Sequence, residues 1–235
     1  MIVKFLQFTH RNMGPFKGKE IIMKIALIGS TGFVGSAILS ELLARGHQVT
    51  ALARTPAKIA AQQGLNVAQA DVLNPDAVAA AVRGADAVVS AYNPGWTNPD
   101  LHDEFLRGSD SITAGTKQAG VKRLVVVGGA GSLFIAPGVQ LVDTPEFPAQ
   151  WKPGALAARE ALNRIRQEKD LDWSFVSPAA HLVPGERRGS YRLGGEELVV
   201  DAAGESNLSV ADLAVAIVDE LEAPKHIQRR FTAAY

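Results

Sequence analysis

Residues 29 to 35 read GSTGFVG, with glycines at 29, 32 and 35. The apolar run Ile25-Ala26-Leu27-Ile28 precedes them, and Val34, Ile38 and Leu42 then recur every four residues until Gly46 stops the pattern. Strand, glycine-rich turn and helix in that order restrict the fold more than any other stretch of the chain. Each glycine has its own reason. The chain turns sharply at Gly29, a Cβ at Gly32 would keep an anion off the backbone, and a bare Gly35 lets the helix pack closely on the strand. Unpaired N–H groups then meet the positive end of a helix. Gly29, Ser30, Thr31, Gly32, Phe33, Val34 and Gly35 so form a cradle suited to a diphosphate. A tight strand-to-helix turn without a ligand is the alternative, and the rest of the chain has to decide.

The alternation continues to the far end. Short Val/Ile/Leu-rich runs fall at 24–28, 48–53, 65–69, 86–91, 122–127 and 172–176. Most are unbroken rather than alternating, as in strands covered on both faces. Helices are expected over 33–45, from Thr55-Pro56, from Asn74-Pro75 to Gly84, and over 100–119, 153–168 and 209–222. Thr55 and Asn74 are caps placed before a first-turn proline, and Ser209 with Asp212 makes a start like a capping box. The fold class is therefore α/β: a Rossmann-like doubly wound parallel sheet with helices on both faces and a small C-terminal substrate-side region at about 178–208. The longest connections, 92–100 and 128–152, and the irregular stretch 178–208 leave the C-terminal ends of strands, the edge where open sheets of this kind bind ligands.

Composition narrows the partners. Twenty-four basic and 24 acidic residues balance to zero net charge, which points to no nucleic acid and no membrane surface. The absence of Cys excludes disulfides and thiolate chemistry, and five scattered His at no ligand spacing argue against a metal. No apolar run approaches the roughly 18 to 20 residues that span a bilayer. The expected setting is cytoplasmic, and the expected partner is a small-molecule acceptor, with the chain a monomer or small homo-oligomer. Met23 begins MKIALIGSTG, so residues 1–22 read as an N-terminal extension ahead of a single dinucleotide-binding domain, 23–235. The alternative for the extension is an added strand, MIVKFLQF.

The second strand runs out as Leu52-Ala53-Arg54, with Lys58 one turn later and no acid at its end. A carboxylate there would take the ribose hydroxyls of NAD and repel a 2′-phosphate, whereas a guanidinium binds that phosphate with paired donors. NADP(H) is preferred and NAD(H) stays admissible. A solvated Arg-Lys face is the plainer alternative. Asp71, after the third strand, can accept from an adenine amino group or simply cap a turn.

The stretches KIALIGSTGFVGSAILSELLARGHQVTALAR, GADAVVSAYNP, VKRLVVVGGAGSL, DLDWSFVSPAA and NLSVADLAVAIVDELE resemble the short-chain dehydrogenase/reductase superfamily. More narrowly they resemble its atypical, NmrA-like NAD(P)H-binding branch, which includes biliverdin/flavin reductases and proteins called NADH-flavin reductases. The resemblance covers about residues 23 to 235 and specifies no substrate. The strand ends supply further cofactor candidates: Ala91, Tyr92 and Asn93 after the fourth strand, where Tyr92-Asn93 can line the ribose side, and Gly128 and Gly129 after the fifth, while the resemblance adds a third segment. It sets Ser177, Pro178 and Ala179 against the nicotinamide, with Pro178 shaping the pocket wall.

One departure matters. In that superfamily a Ser after the fifth strand works with a Tyr-x-x-x-Lys pair on the next helix. Ser132 matches the Ser, but the helix reads WKPGALAAREALNRI, which puts Lys152 and Leu156 at the two dyad positions. Tyr92, Tyr191 and Tyr235 lie elsewhere. Carbonyl reduction makes an alkoxide, and a positioned acid typically supplies about 10²–10⁴-fold. A flavin or quinone delocalises the charge and takes its proton from water, so proximity and stacking carry most of the catalysis. The expected function is an NAD(P)H-dependent oxidoreductase that transfers hydride to a flavin- or quinone-like acceptor. The rivals are a non-catalytic NADP(H)-sensing regulatory protein and, ranked last, a sugar-nucleotide epimerase or dehydratase, which needs the missing pair. The catalytic candidates are Ser132, set against an ordinary turn Ser, and His181, a proton donor at neutral pH or a loop His. Trp96 and Trp151 can stack on a flat acceptor or form a lid's own small core. Arg187-Arg188 can attract a phosphate tail or be a solvated pair.

Overall fold

The computed structural model describes residues 22–235; the proposed strand MIVKFLQF lies outside the described residues. The first half of the chain runs β1 (Lys24–Ile28), α1 (Phe33–Ala44), β2 (Gln48–Ala53), β3 (Leu65–Gln69), α2 (Pro75–Val82), β4 (Ala87–Ser90), α3 (Leu101–Gln118) and β5 (Arg123–Val127). A hairpin of β6 (Phe134–Ala136) and β7 (Val139–Gln140) precedes α4 (Lys152–Ile165) and β8 (Asp172–Ser177). The last part holds β9 (His181–Val183), β10 (Arg192–Gly194), β11 (Asn207–Ser209), α5 (Val210–Glu222) and β12 (Arg229–Ala234).

Eight strands make one sheet in the order β10-β12-β8-β5-β4-β1-β2-β3, parallel except where β10 meets β12. The chain winds outward from β1 to β3, then returns across β1 to β4 and winds the other way. The reversal leaves a crevice at the C-terminal ends of β1 and β4, where ligands bind in such sheets.

Side-chain alternation along β1 builds both core layers. Ile25 and Leu27 pack with Ile38 and Leu42 of α1 and Leu213 and Ile217 of α5. Ala26 and Ile28 face the opposite layer, with Val78 and Val82 of α2, Ile112 of α3 and Leu162 and Ile165 of α4. Each such Val, Leu or Ile, fully buried, contributes about 1.5–3 kcal/mol. Two caps behave as read. Asn74 Oδ1 accepts from the Asp76 and Ala77 amides at 3.0 and 3.2 Å, and Ser209 Oγ accepts from the Asp212 amide at 3.0 Å.

Three features differ from the expectation. Thr55-Pro56 opens only one 3-10 turn, Pro56–Lys58, with no bond from the Thr55 side chain; the following Ile-Ala-Ala-Gln-Gln-Gly reaches Gly64 in six residues, too short for a buried helical stripe. The stretch 178–208 contains β9, β10 and β11, each three residues long, and β9 pairs with β11 in parallel. A seventh parallel strand, β12, joins the sheet beside β8. No helix among the described residues is long and apolar enough to cross a membrane.

Candidate functional site

The turn after β1 is built as its glycines require. Gly29 has φ +82°, and a Cβ there would lie 2.3 Å from the Ala91 carbonyl oxygen, so the turn presses against the end of β4. A Cβ on Gly35 would lie 2.0 Å from the Gly29 carbonyl oxygen. Gly32 is different. It is exposed, and its Cβ would meet only that same oxygen, at 3.4 Å. The protein's own packing thus leaves the space over Gly32 open. Gly32 is also the N-cap of α1, with no side-chain cap and no acid in the first turn. The first-turn amides therefore have no side-chain cap, and no acid of that turn opposes an anion. Ser30 is buried; Thr31 and Phe33 are exposed beside the bare cap, and Val34 is half-buried. These residues fit a dinucleotide diphosphate.

Arg54 follows β2 and is exposed, and its guanidinium has no ion-pair partner among the described residues; its carbonyl accepts from Gln69 Nε2 at 3.4 Å. Lys58 ends the Pro56–Lys58 turn, and its side chain lies outside what is described. The exposed Asp71 accepts the Leu73 amide at 3.0 Å through Oδ1, so it does make a turn. The exposed Asn93 likewise accepts the Gly95 amide at 2.7 Å. Half-buried Tyr92 stacks on Phe105 and leans on α3 where Gly108 leaves room. Burial, with Glu104 nearby, pushes its phenol up to about 12, and the charges of Arg54, Asp71 and Arg107 also reach it. The structure thus gathers Arg54, Asp71 and Tyr92 into one neighbourhood, together with Arg107, which sequence reasoning missed because an exposed Arg on a helix carries no signal.

Ser132 departs from the expectation. It is 1% exposed, and its hydroxyl accepts from Arg230 Nη1 at 2.9 Å; the same nitrogen donates to the Ser132 carbonyl at 2.9 Å. Arg230 Nη2 reaches the Glu196 carbonyl at 3.0 Å and also the Glu196 carboxylate, which binds Arg166 Nη2 as well, at 2.7 Å to each oxygen. Ser132 is therefore part of a buried tether between the loop after β5, β12 and the substrate-side segment, not an open hydroxyl awaiting a ligand. Gly128 is bare because a Cβ there would strike the Phe175 ring at 2.0 Å, and Gly129 approaches Ala158 of α4. Ser177, Pro178 and Ala179 are all buried, so Pro178 lies beneath the surface and not on an open wall. His181 is exposed, with Nε2 3.8 Å from Glu205 Oε2. Lys152 and Leu156 stand on the first turns of α4. Arg187 forms no phosphate handle: it binds the buried Glu41 at 2.8 and 2.9 Å, while Arg188 lies over the Tyr235 ring.

Comparison with known proteins places the chain in a family. The sequence profile of a family described as NAD(P)H-binding matches residues 29–224. The chain is similar to the uncharacterized protein YwnB of Bacillus subtilis, 42% identical over 213 residues, covering 89% of this chain and 97% of that one. A solved structure from Bacteroides thetaiotaomicron, described as a candidate epimerase, is 50% identical with a TM-score of 0.85, covering 92% of this chain and 98% of its own. Another from Streptococcus pneumoniae, described as a candidate NADH-flavin reductase, is 36% identical with a TM-score of 0.78, covering 90% and 99%.

Proposed function

The chain belongs to the NAD(P)H-binding family, and from that membership we propose that it is an NAD(P)H-dependent reductase that delivers hydride to a flavin- or quinone-like acceptor. When bound, the dihydronicotinamide supplies a hydride, two electrons with one proton, and water supplies the second proton to the reduced acceptor. The protein's part is to bind and to orient. The bare cap at Gly32 takes the diphosphate on first-turn amides. Arg54, free of any described ion pair, faces a 2′-phosphate and favours NADP(H). His181 stands exposed on β9, with Glu205 3.8 Å away.

The observation that carries the choice of acceptor is the absence, among the described residues, of the tyrosine-lysine pair from α4. Lys152 and Leu156 occupy the dyad positions, the Ser132 hydroxyl is buried against Arg230, and the Tyr92 phenol, pushed up to about 12, gives up its proton poorly. An alkoxide would find no phenol-lysine pair on α4 to protonate it; a conjugated acceptor does not need one. The S. pneumoniae relative supports this reading. The epimerase reading attached to the B. thetaiotaomicron relative requires proton and hydride shuttling at one carbon, which the absent pair would have to assist.

The buried Ser132 hydroxyl also favours a second reading, a sensor that binds NADP(H) and turns nothing over. The test is NADPH consumption with riboflavin, FMN and menadione. Turnover with one of them supports the reductase. Tight NADPH binding without turnover with any of them selects the sensor.

A further inference from the structure

We propose that Trp96 and Trp151 form the acceptor platform, an aromatic step beside the cofactor edge on which a planar, conjugated ring system stacks. The nature of what stacks rests on the reductase reading above; the platform itself rests on its construction. Trp96 lies in the connection between β4 and α3, and Trp151 ends the turn before α4. Their ring centroids are 4.8 Å apart at an interplanar angle of 85°, an edge-to-face pair. The Trp96 ring rests on the backbone of α4 at Gly154, where a Cβ would come within 2.6 Å of its Cζ3, so only a bare residue seats the indole there.

Two chains of contact connect this seat to the cofactor edge. On one side, Ala155 and Ala158 of α4 press on the loop after β5: a Cβ on Gly131 would lie 2.8 Å from the Ala155 Cβ, and one on Gly129 would lie 3.5 Å from the Ala158 Cβ. On the other side, Trp96 follows five residues after Ala91, whose carbonyl closes on Gly29. The Trp96 connection is braced by its own bonds. The Gly95 amide donates to Asn93 Oδ1 at 2.7 Å, the Asn98 amide to the Gly95 carbonyl at 3.1 Å, and Asn98 Nδ2 to Glu104 Oε2 at 2.9 Å. Yet Trp96 is 55% exposed and Trp151 42%. A small core of the loops' own would hide these rings. A fixed seat that leaves both open to water is instead a contact surface, and an edge-to-face pair leaves a ring face free for a third, stacked ring. Trp173, the remaining tryptophan, is buried with its Nε1 bonded to the Glu168 carbonyl at 3.2 Å, and takes no part.

The test is equilibrium dialysis of riboflavin, which carries no phosphate, against the full chain saturated with NADP⁺. In Trp96→Ala and Trp151→Ala riboflavin should bind about tenfold more weakly than in the wild type, one stacked aromatic contact being of that order. Trp96→Phe should restore most of the loss, and NADPH affinity should be unchanged in all three. Should alanine also lower NADPH affinity, Trp96→Leu decides, since it fills the seat without a ring face: weakened riboflavin binding supports the platform and wild-type binding overturns it. Riboflavin binding within twofold of wild type in both alanine variants overturns it, as does a Trp96→Phe no better than alanine, or a wild type that binds no riboflavin. Tryptophan-dependent riboflavin binding without NADPH oxidation keeps the platform and removes the reductase. NADPH oxidation by riboflavin with an unchanged KM in Trp96→Ala does the reverse.

Discussion

Gly35 and Gly29 are in direct backbone contact across the first turn: a methyl group on Gly35 would stand 2.0 Å from the Gly29 carbonyl oxygen. Gly32, between them, has only that oxygen within reach, at 3.4 Å. The two positions should therefore fail in different ways. Gly35→Ala overpacks the strand–helix contact and should destabilise the fold by about 1–3 kcal/mol. Gly32→Ala should leave the melting temperature near that of the wild type and still lose at least about tenfold in NADPH affinity, the worth of roughly one hydrogen bond to a charged group. Thermal melts and calorimetric titration of both variants check this. A Gly32→Ala protein that binds NADPH normally would show that the open space serves something else.

On the proposed reading, cofactor preference should depend on Arg54. With no ion pair among the described residues to hold it, its guanidinium is available to a 2′-phosphate, a contact worth about 1.5–3 kcal/mol. Arg54→Ala should lower NADPH affinity about 10- to 100-fold and leave NADH affinity unchanged, and the wild-type preference should shrink at high salt. Parallel titrations with both nucleotides decide it. Equal wild-type affinities would refute the assignment.

The missing acid should show in the choice of substrate. Simple ketones and aldehydes should be reduced at least about 10²-fold more slowly than a flavin or quinone, since α4 carries no tyrosine-lysine pair to act as general acid in carbonyl reduction. Introducing the pair as Lys152→Tyr with Leu156→Lys should raise carbonyl turnover more than flavin turnover, measured as kcat/KM on each. A wild type that prefers a ketone would refute the account of Lys152 and Leu156.

Acid should loosen the substrate-side region first. Asp212 is buried at the start of α5, and burial alone would raise its pKa; the Tyr235 hydroxyl at 2.6 Å and the Gly189 and Arg188 amides at 2.8 and 3.2 Å outweigh that and hold it below the usual aspartate range. A carboxyl lowered in the folded state stabilises fully above its unfolded pKa and loses that contribution as pH falls through the folded value. Stability should therefore decline below about pH 4. Asp212→Asn should be less stable than wild type at pH 7 and lose less between pH 7 and 3. Equal losses, measured by denaturant melts, would count against the carboxylate.

Much of this was legible in the sequence, for physical reasons. The runs at 24–28, 48–53 and 65–69 coincide with β1, β2 and β3 because each is short and mostly apolar, rich in Val, Leu, Ile and Ala, and falls between turn and helix signals. The cradle was legible because strand, glycine spacing and helix occur together. β12 was not, because RRFTAA begins with two charges and shows no clean period. Arg230 is buried against the general rule for arginine, and what makes that tolerable, the Ser132 carbonyl and hydroxyl and Glu196, lies 98 and 34 residues away. The same distance hid the true place of Ser132. The strands within 178–208 are three residues long, too short for any periodicity to register.

The most direct test of the central claim is a crystal structure of the protein soaked with NADPH. The diphosphate should lie against the first-turn amides of α1, over Gly32, with the 2′-phosphate on Arg54. A nucleotide bound away from that turn, or a turn left empty at saturating NADPH, would contradict it.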